Sequence, residues 1–183
     1  MGRLMNRLQL QTTLKQWDQH GKYVFSMHEL TKLFSNDKPK TLSEAINRHT
    51  KEGLIERACR SVYVNTNARS YDRFTLERIA ILLRSGYYNY ISLESALSEH
   101  GVISQIPIDR LTIMTTGRSG VCQTTYGKIE FTHTQRTINT ILNGSLKIEG
   151  KPLRMATKQT AWRDLKRVGR NTHLVNLDEV DNR

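Results

Sequence analysis

The sequence predicts a mixed α+β fold in two domains, residues 1–85 and 86–183. The first domain is predicted from helical patterns that lead into a short hairpin between residues 26 and 64. The second is predicted from β-rich runs that glycines separate and helical segments flank. Because the character of the chain changes near Gly86, we place the domain boundary there.

Helical spacing begins close to the start of the chain. Leu10, Leu14 and Trp17 fall on one face of a predicted helix over residues 3–19, which ends at His20 and Gly21. Residues 22–25 are expected to form an extended lead-in or a strand added to the hairpin. The helix itself is expected to support the two helices that follow.

Two capping boxes then mark helix starts. Ser26 precedes Glu29 by three residues, and Thr41 precedes Glu44 by three. In each pair the hydroxyl can accept a hydrogen bond from a backbone N–H of the first turn, while the carboxylate accepts one from the cap N–H. Helices are therefore predicted to begin at residues 26 and 41.

The second of these helices has an apolar face and a basic outer face. Its apolar face holds Leu42, Ala45, Ile46 and His49, and Gly53 ends it. Residues 54–57 and 61–64 are predicted strands around a tight turn at residues 58–60. Helix, turn, helix and hairpin in this order predict a winged helix-turn-helix domain.

Such a domain places the outer face of its second motif helix against DNA. Asn47 and Arg48 have the side chains that bind adenine and guanine edges, and the neighbouring cations suit phosphates. The predicted DNA-contacting residues are Lys38, Lys40, Thr41, Ser43, Asn47, Arg48, Lys51, Arg57 and Arg60. The alternative is a solvated helix face in a domain with another role.

Helices and a small antiparallel sheet are predicted after the hairpin. The helices cover residues 74–83, which can belong to either domain, residues 92–100 and residues 157–168; the strands cover 111–116, 121–125 and 128–134. The acidic end, 177–181, is expected to be frayed. Gly117-Arg118-Ser119-Gly120 is predicted as a hairpin turn, with an anion-binding backbone nest as the alternative.

The chain is strongly basic, with a net charge of +11 and a pI of about 9.9. This charge favours a polyanionic partner such as nucleic acid, although it can also serve solubility alone. Both predicted domains carry an excess of basic residues. Residues 147–170 hold 8 basic side chains against 2 acidic ones, so this segment is a second candidate anion-facing surface.

The sequence gives little sign of catalysis or metal binding. Cys59 and Cys122 lie far apart and are predicted to be unpaired thiols, and the six histidines lack metal-ligand spacing. Glu94 and Glu99 are five residues apart and do not share a helix face. We therefore expect no enzyme activity, cofactor or metal. No run approaches the ~20 apolar residues that span a membrane, and no secretory signal is evident, so a cytoplasmic location is expected.

Several motifs of the second domain occur in a specific order. They are Tyr90 to Ile103, Gln105-Ile106-Pro107, Thr115-Thr116-Gly117-Arg118 and Tyr126 to His133. In this order they resemble the AbiEi family of bacterial antitoxins, and residues 23–64 are similar to that family's winged module. Residues 156–165 depart from the family pattern by lacking a proline and the acid after it, although Ala161, Asp164 and Leu165 match.

The resemblance implies an antitoxin that neutralises a cognate AbiEii-like nucleotidyltransferase toxin, directly or indirectly. It also implies repression of the shared operon through inverted repeats, bound by a dimer or a cooperative pair, in systems linked to phage defence and mobile-element maintenance. The residues expected to serve antitoxicity or DNA binding, here called the second basic surface, are Arg118, Lys158, Arg163, Lys166, Arg167 and Arg170. The alternatives are a winged-helix regulator with a ligand-sensing C-terminal domain and an RNA-binding adaptor.

Overall fold

A computed structural model describes residues 5–103 and 110–181 of the chain. Contacts divide the chain into two units, Met1–Thr75 and Leu76–Arg183. Both units contain helices and strands, which confirms the predicted α+β class. The division falls after the first residue of the helix near residues 74–83, which the sequence allowed to either domain and which the predicted boundary near Gly86 placed in the first. From Leu76 onward this helix belongs to the second unit, where the Glu77 carboxylate accepts a hydrogen bond from the backbone N–H of Leu153.

The first unit contains three helices and a three-stranded antiparallel sheet. Its elements are α1 (Arg7–Asp18), β1 (Val24–Ser26), α2 (Met27–Leu33), α3 (Pro39–Lys51), β2 (Glu56–Cys59) and β3 (Val62–Val64). The strand order is β1-β3-β2. Residues 24–26 therefore form the additional strand that was one of the two expectations for this stretch. The predicted helix start at residue 3 lies outside the described residues, and α1 begins after its cap at Asn6.

The structure confirms one of the two predicted capping boxes. The Ser26 hydroxyl accepts from the backbone N–H of Glu29, whose carboxylate accepts from the Ser26 N–H. The box at Thr41 and Glu44 is wrong, because α3 already begins at Pro39. Proline suits the first helical position, since its fixed φ is helical and its missing N–H would have no partner there.

Replacing Ser26 and Thr41 by alanine separately tests this difference. Ser26→Ala is expected to lower the free energy of unfolding by about 1 kcal/mol, because the first turn of α2 loses its side-chain cap. Thr41→Ala is expected to change it by less than about 0.5 kcal/mol, because Thr41 caps no helix. Urea denaturation of both variants measures the two values, and equal losses would contradict the assignment.

The hairpin turns later in the chain than the sequence predicted. The connection between β2 and β3 is at Arg60 and Ser61, and Ser61 has a φ of 62°. Strand pairing shifts register between Arg57 and Cys59. The predicted turn at residues 58–60 is therefore wrong, because this irregularity lets Ala58 remain in the strand with its side chain buried.

The three helices of the first unit pack around one apolar cluster. Its fully buried members include Leu10, Leu30, Leu42 and Ile46. Trp17, which the spacing places on one face with Leu10 and Leu14, is 37% exposed and lies outside the cluster, in the last turn of α1. The cluster fixes which face of α3 is turned inward, and therefore which face is available to a partner.

The second unit is built on a six-stranded mixed sheet with strand order β6-β7-β5-β4-β9-β8. Its strands are β4 (Asn89–Ile91), β5 (Arg110–Thr115), β6 (Gly120–Thr124), β7 (Gly127–His133), β8 (Ser145–Leu146) and β9 (Arg154–Ala156). Its helices are α4 (Thr75–Leu83), α5 (Leu93–Glu99), α6 (Ile138–Asn143), α7 (Lys158–Val168) and α8 (Leu177–Asp181), with a 3₁₀ turn at Thr172–Leu174.

The prediction of a small antiparallel sheet is wrong, although its three predicted strands are present. β5 pairs with β7 in parallel, and β4 pairs with β9 in parallel. β7 lies between β5 and β6, so residues 116–119 cross over the end of β7 instead of forming a hairpin turn. Hydrogen bonds between strands distant in the chain, which local patterning does not specify, produce this order.

Asp164 joins helix α7 to strand β4 by a hydrogen bond and to the segment before α6 by a buried ion pair. Asp164 is fully buried and lies 2.5 Å from a guanidinium nitrogen of Arg136. Its other carboxylate oxygen accepts from the Ser92 hydroxyl at 2.7 Å and from the Tyr90 hydroxyl at 3.2 Å. Burial, and then the Asp164 charge, raise the pKa of Tyr90 to about 12, so this phenol remains a donor.

The acidic end of the chain is helical where fraying was expected. The backbone carbonyl of Glu179 in α8 accepts a hydrogen bond from the Lys158 ammonium of α7 at 3.2 Å, and Val180 is buried. Apolar burial and this charged hydrogen bond together hold a segment whose composition alone suggests disorder. Lys158 thus has a structural partner within the second unit.

Candidate nucleic-acid interface

Helix α3 separates apolar and basic side chains onto opposite faces. Leu42 and Ile46 are buried in the core of the first unit, together with Ala45 and His49. Among the predicted DNA-contacting residues of this helix, Lys40, Asn47, Arg48 and Lys51 are exposed, while Thr41 and Ser43 are half-buried. Core packing therefore turns a row of amide and cationic side chains outward.

The N-terminus of α3 adds backbone donors to this face. Lys38 occupies the cap position without a side-chain cap hydrogen bond, and Lys38 and Lys40 are both exposed beside the first turn. Helix N-termini carry a partial positive charge and N–H groups that suit phosphate oxygens. The beginning of α3 thus combines two ammonium groups with a favourable helix dipole.

The end of α3 is held by a short polar cluster. The Nδ1 atom of buried His49 lies 3.0 Å from a carboxylate oxygen of Glu52. The Nε atom of Arg48 lies as far as 4.0 Å from the other oxygen of the same carboxylate, and the Arg48 side chain is 59% exposed. An exposed ion pair of this length contributes little. The Arg48 guanidinium therefore remains free to exchange this contact for another anion.

Two further predicted residues lie on the hairpin. Arg57 is exposed on β2, where its Nε donates to the carbonyl of Cys59 at 3.3 Å, and Arg60 is exposed at the turn. The hairpin thus presents cations at its tip in addition to those of α3. A guanidinium at such a tip is suited to phosphate or minor-groove contact.

The second basic surface does not form one continuous set of free cations. Arg163, Lys166 and Arg167 are exposed on α7, and the Lys166 ammonium lies 5.1 Å from the centre of the Trp162 ring. Arg118 is exposed on the loop that crosses β7. Lys158 and Arg170 are only partly exposed and bind groups within the second unit, so they are poorly placed to meet a partner.

Arg170 belongs to an ionic cluster. Its guanidinium donates two hydrogen bonds to the Glu94 carboxylate, at 2.8 and 3.1 Å, and contacts Glu130. Asn171 donates to Glu94 at 2.9 Å. Burial alone would raise the pKa of Glu94, but these hydrogen bonds outweigh it and lower that pKa below its ordinary value of 4.5. Through this bidentate pair, Arg170 links the segment after α7 to helix α5.

This cluster predicts a pH dependence for the second unit. Because the folded-state pKa of Glu94 is lowered, its contribution to stability is present above about pH 4.5 and is lost as pH falls through the folded-state pKa. The melting temperature is expected to fall over that acidic range, and to fall less steeply in Glu94→Gln. If the melting temperature changed equally from pH 6 to pH 3 in the protein and in Glu94→Gln, this result would contradict the assignment.

Glu99 and His100, which follow Glu94 in the chain, bind partners outside the Arg170 cluster. Glu99 pairs with Lys151, and the His100 Nε2 atom lies 2.8 Å from the carbonyl oxygen of Ala156. Within residues 5–103 and 110–181, no group of three or more His, Cys, Asp or Glu side chains is arranged to hold a metal ion. Cys59 and Cys122 are not joined by a disulfide bond.

The surroundings of Arg118 could not be predicted from local sequence patterns. Tyr87, Arg118 and His133 lie along one cleft, although they are widely separated in the chain. No local spacing links them, because the parallel pairing of β5 with β7 brings them together. The sequence shows Tyr87 and Tyr88 only as adjacent aromatic residues, and their exposure is known from the structure alone.

These features define an α+β protein with an outward basic helix in its first unit and a mixed sheet in its second. No protein-family model, curated protein or solved structure matches this chain. Among the described residues, no helix is both long and apolar enough to cross a membrane. The motif Gln105-Ile106-Pro107 lies outside the described residues.

Proposed function

We propose that the first unit is a winged helix-turn-helix domain that binds operator DNA. The observation that carries this proposal is the orientation of α3, whose buried face includes Leu42 and Ile46 and whose exposed face includes Asn47 and Arg48. A helix held in this way can enter the major groove while Lys38 and Lys40 contact phosphates. The hairpin of β2 and β3 supplies the wing.

We further propose that the protein is an antitoxin that represses its own operon and neutralises a cognate nucleotidyltransferase-like toxin. The support is the serial resemblance of the second-unit motifs to AbiEi antitoxins, together with the proposed winged domain. Exposed Arg163, Lys166 and Arg167 offer a cationic face to an acidic partner. One short recognition helix reads few base pairs, so two molecules are expected on an inverted repeat.

A gel-shift titration on the protein's own promoter region tests the DNA-binding proposal. The repeats are expected to be bound at least tenfold more tightly than the same DNA with scrambled repeats, at moderate salt. Equal affinity for the two DNAs would leave only non-specific binding and would contradict the operator assignment.

Co-expression with the neighbouring gene tests the antitoxin proposal separately. Growth is expected to stop when that gene is expressed alone and to recover when this protein is present. Specific DNA binding without growth rescue would favour the alternative of a transcriptional regulator with a ligand-sensing second unit. The two experiments therefore distinguish failure of DNA binding from failure of neutralisation.

A further inference from the structure

An open cleft of about 340 Å³ lies in the second unit where β5 and β7 end. It is lined by Tyr87, Thr116, Gly117, Arg118, Ser119 and His133. The lining contains a guanidinium, an imidazole, hydroxyl groups and an aromatic ring, and it contains no carboxylate. This composition suits an anionic ligand that carries a planar group.

The loop of residues 116–119, which forms part of the cleft, is held in place by His133 and Tyr87. The His133 Nδ1 atom donates to the carbonyl of Gly117 at 2.7 Å, and its backbone N–H donates to the Ser119 hydroxyl at 2.8 Å. Gly117 packs directly on the Tyr87 ring, since a Cβ at this position would lie 3.0 Å from two ring carbons. The cleft is thus formed before any ligand arrives.

Two guanidinium groups lie at this loop, and a third lies at the adjacent end of β7. Arg118 is exposed on it, and the Arg84 Nε donates to the Arg118 carbonyl at 3.0 Å while stacking 4.2 Å from the Phe131 ring centre. Arg167 donates to the carbonyl of His133 at 3.2 Å. In the part of the chain that the structure describes, none of the three forms an ion pair with a carboxylate. Their positive charge is therefore not neutralised locally.

Exposed aromatic rings lie beside this positive charge. Tyr87 is 54% exposed and its neighbour Tyr88 is 42% exposed. An accessible aromatic ring next to guanidinium groups is the arrangement that proteins use to stack a nucleobase while binding its phosphate. A lone inorganic anion would use the cations and leave the Tyr87 ring in water.

We propose that this cleft binds a nucleotide, with its phosphate at Arg118 and Ser119 and its base against Tyr87. The ligand is a free mononucleotide or the accessible end of a single strand, which share this chemistry. The site is formed by residues of the second unit alone, and it does not depend on the DNA-binding proposal. In this proposal Arg118 binds the phosphate of a nucleotide and is not simply one cation of the second basic surface.

Titration of the full-length protein with 5′-AMP, followed by amide NMR, tests the proposal. Binding of AMP is expected to be saturable and to change the chemical shifts of the backbone amides of Arg118 and Ser119. Arg118→Gln is expected to weaken binding about tenfold, as loss of a charge-assisted phosphate contact does. Arg7→Gln, which removes an exposed guanidinium of α1 that belongs to no proposed binding surface, serves as the matched control and should leave binding unchanged.

Further ligands separate the contributions of phosphate and base. Inorganic phosphate should bind more weakly than AMP, and adenosine should bind more weakly still. A short oligonucleotide that competes with AMP better than its own mononucleotide would identify a strand end as the natural source. Absence of saturable AMP binding, or equal weakening by Arg118→Gln and Arg7→Gln, would overturn the proposal. Neither result would alter operator binding through α3.

Discussion

Replacing Asn47 by alanine, or Arg48 by alanine in a second variant, is expected to abolish the preference of the protein for its operator. Each side chain is exposed on the proposed recognition helix and can make a bidentate contact to a base edge, worth about 1–3 kcal/mol of discrimination. Both variants should keep the fold, because neither side chain belongs to the apolar cluster of the first unit. Competition gel shifts with intact and scrambled repeats measure the loss.

Two control variants separate sequence recognition from general electrostatics. Lys51→Ala removes a predicted phosphate contact, so it should weaken binding to both DNAs alike and reduce the salt dependence. Arg7→Ala removes an exposed guanidinium from α1 and should have little effect on either DNA. If Arg7→Ala reduced operator preference as much as Arg48→Ala, α3 would not be the reading element.

Replacing Asp164 by alanine is expected to destabilise the second unit by about 3–5 kcal/mol. The carboxylate is fully buried, and its removal leaves the Arg136 guanidinium without its partner. The hydroxyls of Ser92 and Tyr90 also lose their acceptor. Urea denaturation followed by a signal from the second unit measures the change.

Comparison with Asp164→Asn identifies the contribution of charge. Asparagine keeps an acceptor for Ser92 but removes the ion pair with Arg136, so an intermediate loss is expected. Asp178→Ala, at an exposed position of α8, should change stability by less than about 0.5 kcal/mol. A loss at Asp164→Ala no greater than that of Asp178→Ala would show that the buried pair contributes nothing.

The role of Asp164 also bears on the resemblance to AbiEi antitoxins. Ala161, Asp164 and Leu165 are the residues of α7 that match the family pattern, and all three are fully buried. They are therefore core residues of this helix. The cations of α7 that are proposed to face a partner, Arg163, Lys166 and Arg167, are exposed instead.

Local periodicity predicted the elements better than their arrangement. The apolar face of α3, the helix over residues 158–168 and the three strands between residues 110 and 133 agree with their predicted positions. Each is specified by residues within one or two turns of helix or one strand length. The errors at Thr41 and at residues 58–60 are also local, and they arose because Pro39 and an irregular strand allow a different start and a different turn.

The sequence by itself determined the α+β class, the division of α3 into a buried and a basic face, and the cap at Ser26. The tertiary structure alone decided the strand order, the crossing of residues 116–119 over β7, and which cations remain free. Arg170 and Glu94 are 76 residues apart, and Asp164 and Ser92 are 72 apart. Short-range patterns carry no information about such pairs, because long-range packing selects them only when the sheet has formed.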